Sequence, residues 1–183
     1  AHVVDVTYKP YDLYWILVSL NSSKDFIYQN QDNFLGLRDL TETNRNNLEI
    51  VFHKPLLNRI SFSLGYILEN ENVNYSSYGT RFRKHLKTKS LITESYFDSN
   101  KHRAFIKLRL SEHDSYGNQF SWNVNYMKNL EKNWSVRFSS GLAFRSPNSS
   151  ELYGYGANVN LKPENSRGHE ISANKRRDEN EEF

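Results

Sequence analysis

The residues with the most chemical potential in this chain sit in a few separate groups. His113 stands between Glu112 and Asp114, a trio whose imidazole and carboxylate oxygens could take a divalent cation at a loop tip. The six histidines (His2, His53, His85, His102, His113 and His169) are otherwise dispersed, and no pair has the spacing of a helical metal motif. A solvated loop tip is the plainer reading of the trio, so neither a metal site nor a cofactor is expected. Serine and aspartate are plentiful, but there is no G-x-S-x-G elbow to present a nucleophile, and no enzymatic chemistry is expected. Gly154-Tyr155-Gly156 has the glycines of a phosphate loop without a following strand-to-helix switch or Lys-Ser/Thr pair. The run Arg81–Lys89, RFRKHLKTK, is basic with one aromatic residue and reads as a charged rim.

These groups must be placed by a β scaffold. Alternation of apolar and polar residues runs through Leu48–Phe52, Ile60–Leu68, Ala104–Leu110, Phe120–Tyr126 and Trp134–Phe138, continuing to Leu142 and Phe144. Period two over five segments predicts strands with two unlike faces, and helical spacing fits none of them. One face carries Ile60, Phe62, Leu64, Ile106, Leu108, Phe120, Trp122 and their like. The other carries Arg59, Arg103, Lys107, Arg109 and Arg137. Short turns are expected at Lys9–Asp12, Lys54–Asn58, Asp98–Lys101 and Asn129–Asn133. Longer loops are expected at about Gln29–Thr43, Asn70–Lys84 and Arg145–Ser166, with Glu112–Gly117 the short member of that set.

Composition separates two architectures that share these hairpins. Hydrophobic residues are only 37% of the 183, yet aromatic residues reach 14%, and many lie near strand ends: Tyr8, Tyr11, Tyr14, Trp15, Tyr75, Tyr78, Tyr96, Tyr126, Trp134, Tyr153 and Tyr155. A soluble β sandwich or barrel would use such rings in its core, and a membrane barrel as interfacial girdles. The charged second face favours the membrane barrel, because a dry core does not tolerate that many unpaired charges whereas a wet lumen does. No apolar run approaches the roughly 18 residues of a spanning helix. A net charge of +3, from 24 Lys+Arg against 21 Asp+Glu, is too small to imply nucleic acid. There are no cysteines and hence no disulfides or thiolate sites. The start AHVVDV shows no signal peptide, so a mature chain or a fragment is expected.

The stretch Trp134–Ile171, WSVRFSSGLAFRSPNSSELYGYGANVNLKPENSRGHEI, closely resembles the signature late in the barrel of TonB-dependent outer-membrane receptors. There a strand ends in a G-x-a-[FY]-[KR]-[AS]-P element, matched here by Gly141, Phe144, Arg145, Ser146 and Pro147. An aromatic E/Q-L-Y segment follows at Glu151, Leu152 and Tyr153. Gly156 then leads to an N-x-x-L-x-P-E-x-S-x-x-x-E element, matched by Asn158, Leu161, Pro163, Glu164, Ser166 and Glu170. Leu108–Tyr126 resembles the family's preceding hairpin. The resemblance is specific from about Leu86 to Ile171 and generic before Tyr75.

The resemblance implies an all-β, antiparallel up-and-down transmembrane barrel of about 22 strands with a plugged lumen. About eight or nine of those strands are expected here, over residues 1–174, with a charged tail at 175–183 and no plug domain. A receptor for active uptake of a large, scarce nutrient is implied. Cobalamin is favoured by the short tip Glu112–Gly117 and the compact Leu152–Gly156 linker, with a ferric siderophore or haem as the rival. The implied partners are outer-membrane lipid, lipopolysaccharide (whose phosphates would suit Arg81–Lys89), the nutrient, and TonB through a region N-terminal to this chain. Localisation would be the outer membrane of a Gram-negative bacterium. A fragment of this kind would not transport alone. Another class of protein, a small soluble or self-closing binding module, stays open on the alternation alone. Tyr153, Tyr155 and His113 are the weak loop candidates for ligand contact.

Overall fold

The computed structural model describes residues 1–10, 13–30, 38–77 and 79–176. Among the described residues nine strands form one sheet in strict sequence order, every neighbouring pair antiparallel. They are β1 (His2–Tyr8), β2 (Trp15–Asn30), β3 (Arg38–Leu57), β4 (Ile60–Ser77), β5 (Thr80–Asp98), β6 (His102–His113), β7 (Gly117–Asn129), β8 (Trp134–Arg145) and β9 (Glu164–Lys175). β1 and β9 are not paired with each other, so the sheet is open. Among the described residues no helix is long and apolar enough to cross a membrane, which says nothing about crossing by strands.

The register turns the alternation into two faces. Directly paired residues in an antiparallel sheet point to the same side. Phe52, Leu64, Thr93, Leu108, Trp122 and Leu142 therefore form one cross-strand row, and Ile50, Tyr66, Leu91, Leu110 and Phe120 the next. This face is convex and open to the surroundings, with Leu64, Tyr66, Leu91, Ile106, Leu108, Leu110, Phe120 and Phe138 all exposed. The opposite row runs His53, Ser63, Glu94, Lys107, Asn123, Gly141 and Gly168. Lys107 binds Glu94 there at 2.6 Å, and Arg109 donates to Ser90 and Ser111 at 3.0 and 2.9 Å. The two side-chain sets thus fall on opposite faces, as the alternation predicts. β9 departs from the rule, since Arg167 and His169 share the convex rows of Leu142 and Ser140.

An apolar outside and a polar inside invert the plan of a water-soluble domain. Only Val73, Leu86 and Leu152 are buried hydrophobic residues among those described. A sheet with so small a dry core must cover its apolar face with something other than itself.

Connections differ from the expected ones at the long-loop end. Asn70–Lys84 is not a loop: β4 and β5 continue side by side to the Ser77–Thr80 pair. Likewise β2 runs to Asn30 and β3 starts at Arg38, so both ends of Gln29–Thr43 are strand, and residues 31–37 lie outside the described ones. At the other end Lys54–Leu57 belongs to β3. A register shift between Pro55 and Leu57 absorbs the proline, and the turn is reduced to Asn58 and Arg59. β9 reaches Lys175, one residue into the expected tail. Residues 177–183, like Tyr11 and Tyr78, lie outside the described residues.

Candidate functional site

The connection from β8 to β9 does not stand away from the sheet; it folds over the concave face. Its key element is α1 (Ser149–Tyr153), a short helix not foreseen from alternation. The local sequence accounts for it. Pro147 precedes Asn148, and the Asn148 side chain accepts from the Glu151 backbone N–H at 2.9 Å. The Glu151 carboxylate in turn accepts from the Asn148 backbone N–H at 2.8 Å. This reciprocal capping box satisfies two donors that a helix start otherwise leaves bare. The Asn-x-x-Glu spacing was the available sequence signal. Gly154 closes the helix through its N–H to the Ser150 carbonyl, and a Cβ there would lie 2.6 Å from that oxygen. Gly156 has φ +69, the left-handed region that glycine enters without strain.

Arg145 ties the two ends of this connection together. Its guanidinium reaches Glu151 at 3.1 Å and Glu164 at 3.2 Å. Glu164 is also its register partner where β9 begins. Two acidic groups on one planar cation fix where the chain leaves the sheet and where it returns. The Asn148 backbone N–H, and then Arg145, hold the Glu151 carboxyl below its ordinary value of 4.5. Farther on, Asn158 donates its backbone N–H to the Glu151 carbonyl, and its side chain accepts from Asn160.

The docked helix has a specific seat. Leu152 is 1% exposed. The Ser149 hydroxyl donates to Glu71 at 3.2 Å. Glu71 is held by Arg45 at 2.6 Å, and Arg45 also reaches Asp25 at 3.2 Å. One polar chain thereby links β2, β3, β4 and α1. Tyr153 is engaged on several sides: its hydroxyl meets Ser115 at 2.7 Å, its ring packs 5.7 Å from Phe82, and Lys84 Nζ lies 4.5 Å over its centre. Phe82 stacks in turn on Tyr75 at 4.8 Å.

Of the three candidate ligand contacts, the structure brings two to this face. His113 lies on the inner row, stacked on Tyr116 at 4.0 Å, and its Nδ1 accepts from the Ser115 backbone N–H. Tyr155 is 69% exposed. The Glu112–His113–Asp114 trio is not convergent. Glu112 faces Lys89 on the convex side at 3.7 Å, and Asp114 accepts the Lys87 backbone N–H at 2.8 Å. Among the described residues no cluster of three such groups could hold a metal. Between loop and wall remains a cavity of about 960 Å³ lined by Arg45, Glu69, Lys107, Arg109, His113, Tyr116, Ser149, Ser166 and Glu170, among others. Cations, carboxylates, hydroxyls and rings are mixed there, a surface that offers many polar contacts.

The family described as TonB dependent receptor-like, beta-barrel matches residues 4–179. The chain belongs to the TonB-dependent receptor β-barrel family. That is a family of transport receptors, not of enzymes. Within it, the chain is similar to the vitamin B12 transporter BtuB of Photobacterium profundum, 35% identical over 66 residues, which is 36% of this chain and 11% of that protein. Its fold matches the siderophore receptor PirA from Pseudomonas aeruginosa with a TM-score of 0.76 at 18% identity, over 96% of this chain and 36% of that one. The chain thus spans about a third of the receptor structure it matches. The signature positions Arg145, Pro147, Leu152 and Glu164 build and seat the loop, while Ser166 and Glu170 line the cavity. Phe144, Asn158, Leu161 and Pro163 lie along its path in and out of the sheet.

Proposed function

We propose that this chain is wall and loop of an outer-membrane receptor that binds a large, scarce nutrient and imports it with energy delivered through TonB. The observation that carries this reading is the β8–β9 connection laid across a polar concave face, with a cavity of about 960 Å³ between them. The convex apolar rows would meet outer-membrane lipid, and the concave rows a watery lumen or whatever fills it. No bond is made or broken by such a surface; its work is to bind, shape and exclude.

Cobalamin is the favoured nutrient, and a ferric siderophore or haem the rival. Similarity to a protein named as a vitamin B12 transporter supports the first, while the siderophore receptor likeness speaks only to the fold. The test is uptake of labelled cyanocobalamin and of ferric siderophores by cells carrying the complete receptor, with TonB present or deleted. Saturable, TonB-dependent cobalamin uptake supports the reading. TonB-dependent uptake of a ferric chelate alone would transfer it to the rival, and no TonB-dependent uptake of any ligand would overturn it.

A further inference from the structure

The turn between β6 and β7 grips the β8–β9 connection at one point, and a histidine holds it there. His113 ends β6, and Asp114, Ser115 and Tyr116 lead to Gly117, whose φ of +73 lets the chain reverse. The start of the turn is clipped to β5 by two bonds. The Asp114 backbone N–H donates to the Lys87 carbonyl at 3.1 Å, and the Asp114 carboxylate accepts the Lys87 N–H at 2.8 Å. Ser115 is held differently. Its backbone N–H donates to His113 Nδ1 at 3.0 Å, and its hydroxyl meets that of Tyr153, the last residue of α1, at 2.7 Å. Two hydrogen bonds thus connect the imidazole to the helix over the cavity.

The first of these bonds fixes the state of the ring. A backbone N–H can only donate, so Nδ1 must present its lone pair, and the imidazole is neutral with its proton on Nε2. A second proton would go to Nδ1, set two N–H groups against each other and leave the Ser115 amide without its acceptor. The ring lies flat on Tyr116, 4.0 Å between centres and 3° between planes, so it cannot turn aside without breaking that stack. Charges reach it from several elements. Asp114 of the turn and Glu71 of β4 act on it directly, and Glu69 of β4 shares its cross-strand row through Thr88 of β5. Lys87 and Lys89, on either side of Thr88, point to the convex face. The cations on its own face are committed elsewhere: Arg109 to Ser90 and Ser111, Arg45 of β3 to Glu71 and Asp25. β7 brings Gly117 opposite it, and Tyr116 and Tyr153 carry no charge near neutral pH. Carboxylates outnumber free cations around the ring, so an imidazolium formed there has partners to turn to.

We propose that His113 and Ser115 form a proton-operated latch on the β8–β9 connection. With the ring neutral, the turn grips Tyr153 and α1 stays down over the cavity; with the ring protonated, Ser115 lets go and the connection loosens. The latch itself follows from this geometry, while its regulation of nutrient binding rests on the receptor reading given above. Because the closed turn binds the neutral ring, it is fully favoured above the ordinary imidazole pKa of about 6.5 and weakens as pH falls below it. One pH unit lower, the closed form has lost at most a factor of about ten against the open one. That range lies above the one in which the Glu151 carboxyl, lowered from 4.5, takes up its proton.

The complete receptor in mild detergent, free of nutrient, is followed by hydrogen exchange in residues 145–163 at pH 7.5 and 5.5, each rate corrected for the intrinsic chemistry of exchange. Wild type should exchange there about threefold to tenfold faster at pH 5.5, with the sheet amides of β6 to β8 unchanged. H113N should stay closed at both pH values, since an asparagine carbonyl can accept the same Ser115 N–H and does not titrate. S115A lacks the hydroxyl for Tyr153, so it should exchange faster than wild type at pH 7.5 and lose most of the pH response. Equal wild-type protection at the two pH values, a full pH response in H113N, or wild-type protection in S115A at pH 7.5 would each overturn the latch. Binding of cyanocobalamin to the same proteins reads the consequence: weaker at pH 5.5 in wild type, and equal at both pH values in H113N. A pH effect on binding that H113N keeps in full would overturn the regulation. No cyanocobalamin binding at either pH, with the exchange response intact, would count against the cobalamin reading and leave the latch supported.

Discussion

The Ser149 hydroxyl donates to the Glu71 carboxylate at 3.2 Å, across 78 positions of sequence. This bond joins the first turn of α1 to the middle of β4, and Arg45 holds Glu71 in place for it at 2.6 Å. The β8–β9 connection is therefore docked on the wall. Replacing Ser149 by Ala removes one hydrogen bond to a charged acceptor, typically about 1.5–3 kcal/mol before relaxation. Hydrogen exchange in residues 145–163 of the complete receptor should speed up, while the β-sheet amides stay unchanged. Unaltered exchange in the loop would show that the bond does not hold it.

Leu152 is the anchor of the same helix. Truncation to Ala at a site only 1% exposed should cost about 2–5 kcal/mol of docking. A Cβ at Gly154 should also disrupt α1, because the Ser150 carbonyl oxygen would lie 2.6 Å away. Both variants are expected to open the connection to limited proteolysis without lowering the melting temperature of the sheet by more than a few degrees. Resistance equal to wild type would refute the docking role.

The Glu151 carboxyl has a lowered pKa, from the Asn148 backbone N–H first and from Arg145 second. A depressed carboxyl stabilises the folded loop fully above its unfolded value, near 4.5, and this contribution fades as pH falls through the lower folded value. Loop protection measured from pH 7 down to pH 3 should therefore drop at the acid end. The E151Q variant should be less protected at pH 7 and lose most of that dependence. An acid profile identical in wild type and E151Q would contradict the assignment.

Tyr153 and Tyr155 should behave differently when each is changed to Ala. Tyr153 is committed to Ser115, Phe82 and Lys84, so its loss should loosen the loop and slow barrel assembly. Y153F should keep the ring contacts and lose only the hydroxyl bond, about 1 kcal/mol. Tyr155 is 69% exposed, so its removal should leave assembly intact. Nutrient affinity measured on assembled receptor tests both. A large affinity loss in Y153A with normal assembly and normal loop protection would make Tyr153 a ligand contact instead.

Much of this architecture was legible because membrane strands must alternate. Ile106 and Leu108 against Lys107 and Arg109 leave little freedom of register, since a slip by one residue would turn charges to lipid. The upper halves of β4 and β5 were not legible for the same reason in reverse. Asn70, Asn72 and Asn74 face outward beyond the apolar band, while Val73, Tyr75, Phe82 and Leu86 face inward, so the pattern that marks a lipid-facing strand is inverted there. The helix α1 spans only five residues, too few for a 3.6-residue period to show, although its capping box was written in Asn148 and Glu151. The resemblance pointed to Arg145, Glu151 and Glu164 together, but their meeting on one guanidinium depends on a fold-back that no local pattern encodes. The Glu112–His113–Asp114 trio does not converge, because adjacency along β6 places Glu112 and His113 on opposite faces.

The central claim is that the convex face of β6 meets lipid and its concave face meets water. This chain has no cysteine, and in a complete receptor cleared of any other cysteine, single cysteines at positions 106 to 111 can carry a nitroxide label one at a time in bilayers. Collision with oxygen, which concentrates in hydrocarbon, is compared with collision with a water-soluble nickel chelate. The account predicts a period-two pattern: oxygen dominates at 106, 108 and 110, and nickel at 107, 109 and 111. Nickel dominance at all six positions, or oxygen maxima at 107 and 109, would contradict it.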